Sequence, residues 1–130
     1  MKTFAKNINV AKTPLETFVQ EWINNTAEEY TDTGVNGVLE DLFIGGCASG
    51  YVSILIYYKD TVKFYQKYDN EIWDILHEQS IEQGQSPLEF IANLNGSKDV
   101  GNMEQFQNLL AWFAFEETAR ILAERSGIEL

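Results

Sequence analysis

The chain has 130 residues, 45% of them hydrophobic and 22% charged, with a formal net charge of −11. That balance excludes an intrinsically disordered chain. The negative charge argues against direct binding to nucleic acid phosphates or anionic membranes. The length suits one domain, expected over residues 1–130.

Cys47 is the single cysteine, so no internal disulfide can form and a reducing compartment suits the chain. Met1 to Val10 carries lysines but no apolar stretch, so no signal peptide is expected. The apolar run Ile54 to Tyr58 is far too short to span a bilayer. A cytoplasmic protein is the resulting expectation.

In chain order, the first helix opens at Thr13-Pro14-Leu15-Glu16. Thr13 can cap it, Pro14 suits the first turn, and Glu16 completes a capping box. Leu15, Phe18, Val19, Trp22 and Ile23 follow at helical spacing and should face inward. A second helix is expected over Val35 to Ile44, with Leu39, Leu42 and Phe43 inward and Gly45-Gly46 ending it. Cys47 to Gly50 reads as a turn of small residues. Tyr51 to Tyr58 has strand-like composition but no evident partner strand, and is expected as a buried helix.

Asp60 can cap a helix over Thr61 to Tyr68. A separate helix is expected over Asp69 to Gln83, with Ile72, Trp73 and Leu76 on its inner face and Gly84 as its stop. Ser86-Pro87-Leu88-Glu89 repeats the first start signal, with Phe90, Ile91 and Leu94 inward and Asn95-Gly96 as the end. Asn102 and Gln105 form the start of the last helix. Phe106, Leu109, Leu110, Phe113, Ala114, Ile121 and Leu122 make one stripe on it. Trp112, Phe115 and Ala119 lie off that stripe, so its middle is apolar nearly all round. A helix of that kind is buried. The fold class is therefore mainly α: a compact helical array packed around a buried C-terminal helix.

Motifs that carry catalysis are missing. Gly45-Gly46 to Gly50 lacks the Gly-Lys-Ser/Thr of a phosphate loop. One Cys and one His cannot build a zinc site, and no Gly-x-Ser-x-Gly occurs. Cys47 and His77 could act as nucleophile and base, but nothing in the sequence brings them together. Asp74 and His77 stand three apart on one helix, yet a di-iron site needs a second histidine. Glu116 and Arg120 are four apart in the favoured ion-pair order, with Glu124 four further on. No metal, cofactor or catalytic residue is assigned, and the chain is expected not to be an enzyme.

Charge is segregated. Thr13 to Tyr58 holds no Lys or Arg, and neither does Tyr68 to Gly96. Between them Lys59, Lys63 and Lys67 form a basic stripe. The acidic candidates for partner binding are Asp69, Glu71, Asp74, Glu78 and Glu82, with Glu28, Glu29 and Asp32. Solubility alone is the plainer reading of such charge. A rival reading is a small-molecule pocket lined by Cys47, Tyr57, Tyr58, Trp112, Glu116 and Arg120. A third is a structural or regulatory role through oligomer contacts, the oligomeric state being open.

Gly46-Cys47 with Ser49-Gly50, Ile56-Tyr57-Tyr58 with Asp60-Thr61, Phe64-Tyr65, Lys67-Tyr68-Asp69, Glu71-Ile72 and the run Leu110 to Arg120 resemble a family of small acidic proteins. These are proteins of unknown function encoded by bacteriophages and plasmids. The resemblance implies a mobile-element origin and no known activity. Joined to the charge, it gives the expectation of an inhibitor in the host cytoplasm. Its acidic faces would block a basic, nucleic-acid-binding host protein, such as a restriction or CRISPR nuclease.

Overall fold

The computed structural model describes residues 10–28, 32, 34–43, 61–96 and 101–127. Among these there are five α-helices and no strand, so the protein is mainly α as its periodicity implies. The helices are α1 (Pro14–Ala27), α2 (Val35–Phe43), α3 (Thr61–Glu82), α4 (Pro87–Asn95) and α5 (Met103–Arg125). The expectations for Gly45-Gly46, Cys47 to Gly50, Tyr51 to Tyr58 and the Asp60 cap lie outside the described residues.

The chain forms two compact units. One holds α1, α2 and α5 from Phe115 onward; the other holds α3, α4 and α5 up to Ala114.

In the first unit α1 packs on α2. Thr13 is extended, and its Oγ1 accepts from the Glu16 backbone N–H at 3.2 Å, as the start signal requires. The other half of the capping box is diverted. The Glu16 carboxylate accepts from the Lys12 backbone N–H at 2.8 Å and from both terminal nitrogens of Arg125. Arg125 also donates to the Val10 carbonyl at 3.0 Å. One guanidinium thus ties the end of α5 to the start of α1, a closure that local spacing cannot reveal.

The inner face of α1 is Leu15, Val19, Ile23 and Ala27, with Phe18 and Trp22 partly covered. The Trp22 ring meets Phe115 edge-on at 5.1 Å. Gln20, polar by residue type, is buried there and accepts from the Ala11 N–H at 3.2 Å. On α2 it is Val35, Val38 and Leu39 that are buried; the side chains of Leu42 and Phe43 are not described.

The Arg125 clamp has a measurable weight. Burial alone would raise the Glu16 carboxyl, but the Arg125 hydrogen bonds, the Lys12 N–H and the two nearby charges outweigh it. The group sits below its ordinary 4.5. A lowered acid contributes stability that is present above the ordinary value and lost as pH falls through the lowered one. Arg125→Ala should therefore cost about 1–2 kcal/mol at pH 7, in line with charge-assisted pairs that stay partly wet. In thermal melts the gap to the parent should narrow as pH drops below 4.5.

In the second unit α3 packs on α4. The two helices expected over Thr61 to Gln83 follow one another directly and meet at a kink. Tyr68 leaves helical geometry at φ −116°, ψ 19°, at the junction the sequence marks, but the chain continues as helix on both sides. At the far end Gly84 takes φ +67°. Its N–H bonds the Ile81 carbonyl at 3.0 Å, and the Gln85 N–H bonds Ser80 at 2.9 Å. That is a Schellman termination, which glycine makes without steric cost.

Ser86 caps α4 through Glu89 at 3.2 Å, and Gly96, with φ +75°, ends it. Phe90 and Ile91 are buried, and Phe90 meets Phe113 edge-on at 5.4 Å. Asn102 and Gln105 form a complete capping box on α5, each backbone N–H bonding the other side chain at 2.9 Å.

Helix α5 carries buried side chains around most of its circumference. Leu110, Ala111, Phe113 and Ala114 are buried in the second unit. Phe115, Thr118, Ala119, Leu122 and Ala123 are buried in the first. This is the pattern expected of a core helix.

Candidate protein-binding face

The side chains of α3 fall into rows four residues apart, the ridges that helices use to meet one another. One row is core: Phe64, Tyr68, Ile72, Leu76 and Ser80 are all buried. The Ser80 hydroxyl is satisfied by donating to the His77 carbonyl at 2.8 Å. The opposite side bears an acidic row. Asp74, Glu78 and Glu82 are exposed on successive turns, with Asn70 and Gln66 continuing the row toward the helix start.

Beside it runs the row Tyr65, Asp69, Trp73, His77 and Ile81, which the sequence reading did not single out. Trp73 was expected inside with Ile72 and Leu76. Instead it is 37% exposed, and Ile81 is 63% exposed. The reason is angular: Trp73 is turned about 100° from Ile72 on a helix of 3.6 residues per turn. The four-residue spacing of 65, 69, 73, 77 and 81 was the available signal. The Trp73 indole N–H donates to the Tyr65 hydroxyl at 2.8 Å, and its ring lies 6.3 Å from Phe106. The indole is thereby held in place with part of its surface open.

Charge divides along α3 at the break. Lys63 and Lys67 precede Tyr68, and Lys67 lies 5.4 Å from the Tyr68 ring centre. Asp69, Glu71, Asp74, Glu78 and Glu82 follow it, Glu71 being half-buried and the others exposed. Asp69 accepts from the Asn70 N–H at 2.8 Å. In the other unit Glu28 and Asp32 are exposed; Glu29 lies outside the described residues.

Of the pocket candidates, Cys47, Tyr57 and Tyr58 also lie outside the described residues. Trp112, Glu116 and Arg120 occupy successive turns of α5, Trp112 in one unit and the other two in the other. The Trp112 indole nitrogen is buried with no hydrogen-bond partner among the described residues. The expected Glu116–Arg120 ion pair is not the one formed. Arg120 Nε lies 3.6 Å from Glu117 Oε2, three residues away, and Glu117 is the better covered member of that pair, at 17% exposed against 44% for Arg120.

Burial raises the Glu116 carboxyl above its ordinary 4.5; Arg120 lowers it and Glu117 raises it further. A raised acid costs the folded state once both states are ionised. Glu116→Gln should therefore raise the melting temperature slightly at pH 7. The gain should vanish below pH 4.5, where the carboxyl is protonated folded and unfolded alike.

Among the described residues no group of three or more His, Cys, Asp or Glu could hold a metal ion. No described helix is long and apolar enough to cross a membrane.

These features define a mainly α protein with one acidic helix face and an adjoining row that exposes Trp73 and Ile81. The chain belongs to a family described as a domain of unknown function, DUF7222, whose model matches residues 13–128. No curated protein and no solved structure matches the chain.

Proposed function

We propose that the protein is a non-catalytic interaction module whose acidic α3 face occupies a basic, nucleic-acid-binding surface on another protein. The observation that carries this is the exposed row Asp74, Glu78 and Glu82, in a stretch from Tyr68 to Gly96 without Lys or Arg. Residues four apart rise about 6 Å along a helix, whereas duplex DNA carries a charge every ~1.7 Å of axis. The row is a sparse imitation of a phosphate backbone, which suits a protein groove with spaced Lys and Arg.

The row also has a local cost. Like charges four apart repel, each pair by a few tenths of a kcal/mol. Glu82 further stands in the last turn of α3, where the helix dipole favours cations. Lysines interspersed in the row would avoid both penalties.

The resemblance to phage- and plasmid-encoded proteins extends the reading. The partner class it favours is a host defence nuclease of restriction or CRISPR type, met in the host cytoplasm. The test is capture of a partner on the immobilised protein, followed by competition with duplex DNA and elution with salt. A captured partner displaced by DNA supports the reading. A partner that binds equally well with its nucleic acid site occupied, or a small molecule as the sole ligand, overturns it.

A further inference from the structure

We infer that the α3 face takes an amphipathic basic helix of its partner, with Trp73 and Ile81 as apolar anchors beside the acidic row. This inference rests on the acidic-face reading and specifies the chemistry of what binds there.

The two exposed rows differ in kind. Trp73, His77 and Ile81 offer an aromatic, an imidazole and an aliphatic side chain; Asp74, Glu78 and Glu82 offer carboxylates. Both rows are four-residue ridges and lie next to each other around the helix, so a groove runs between them. A ridge of a second helix lodged in such a groove crosses at roughly 50°. From Trp73 to Ile81, and from Asp74 to Glu82, each row extends about 12 Å, two turns of a partner helix.

Charge complementarity selects the occupant. One flank of the groove has carboxylates alone, so the partner must bring Lys or Arg to that flank. Their long aliphatic stems can lie along the groove while their heads reach the acids. The other flank needs apolar side chains to cover Trp73 and Ile81. Single exposed apolar residues need no explanation, but Trp73 is fixed by Tyr65 and Phe106. An aromatic side chain already held in one orientation loses little freedom on binding, and tryptophan is the residue type most enriched among binding anchors. A flexible polyanion or a purely basic tail would leave that anchor unused.

The experiment uses the full chain and three synthetic peptides of equal length. The first is helical, with Lys at every fourth position beside a Leu row. The second has the same composition scrambled so that no ridge exists. The third replaces each Lys of the first with Glu. Binding is read by calorimetric titration, and the fold of each variant by helical circular dichroism. The ordered basic peptide should bind about tenfold or more tighter than the scrambled one, a difference of about 1.4 kcal/mol. The acidic peptide should not bind. Trp73→Ala and Ile81→Ser should each remove the preference for the ordered peptide. Ile81→Ser changes an exposed position, so it keeps the test valid if Trp73→Ala fails to fold.

Equal binding of the ordered and scrambled peptides would overturn the inference and leave the acidic-face reading standing. So would a preference that survives in folded variants of both anchors. Binding of the acidic peptide as tight as that of the basic one, or of no peptide at all, would overturn the inference and count against the acidic face as well.

Discussion

Ala114→Asp is expected to unfold the protein. Ala114 is fully buried in α5, within a stretch where Leu110, Ala111, Phe113 and Phe115 are buried as well. An aspartate there meets no solvent and no designed partner. Taking a carboxylate out of water costs several kcal/mol even after relaxation, and the added bulk strains a close-packed site. Natural domains have about 5–15 kcal/mol of stability in total. The substitution should therefore remove most or all of it. Circular dichroism at 25 °C should show loss of the cooperative transition, and expression should shift toward aggregates. His77→Asp, on the exposed side of α3, is the matched control and should melt near the parent. A soluble, cooperatively folding Ala114→Asp variant would show that the α5 core is not what holds the chain together.

That core is also the part of the fold most plainly written in the sequence. The stretch from Leu110 to Phe115 is apolar on every side, and burial follows from that pattern, whereas Phe106, Leu109 and Ile121 of the expected stripe are only half-buried. Start signals were equally legible, because Thr13, Ser86 and Asn102 act on backbone N–H groups two or three residues away. What escaped was whatever depends on distant chain. Glu16 has the spacing of a local capping box, yet its carboxylate goes to Arg125, more than a hundred residues on. Gln20 is polar by type and buried by context. Arg120 comes within ion-pair distance of Glu117 while its charge also acts on Glu116, a division between three- and four-residue spacings that helical geometry leaves open.

The candidate site was half legible. The acidic row was found because charge is visible in sequence and Asp74, Glu78 and Glu82 share a spacing. The adjoining row was missed because Trp73 sits beside Ile72 and was assigned to the same inner face. A helix face is narrower than that grouping allows. Once Phe64, Tyr68, Ile72 and Leu76 define the inner ridge, Trp73 belongs to the next one.

Reversing Asp74, Glu78 and Glu82 to Lys is expected to abolish partner binding while leaving the fold intact. Three reversals of two charges each take the net charge of −11 to −5, and they turn the attractive row into a repulsive one. Association steered by charge should slow by at least about tenfold at low salt, and the difference should shrink as salt rises, because exposed charges are screened within ~10 Å at 0.1 M. Stability should change little. The three positions are exposed, the like-charge repulsion along the row persists with its sign reversed, and the new cations suit the end of a helix. The single reversal Glu78→Lys separates function from stability more sharply. It converts two repulsive four-residue pairs, with Asp74 and Glu82, into attractive ones, so the free protein should gain about 1 kcal/mol. Binding should still weaken, since the centre of the row now repels a basic partner. A surface kept only for solubility has no reason to show this opposition. If Glu78→Lys stabilises the protein and binding is unchanged, or if the triple variant folds and still binds, the acidic row is not the contact surface.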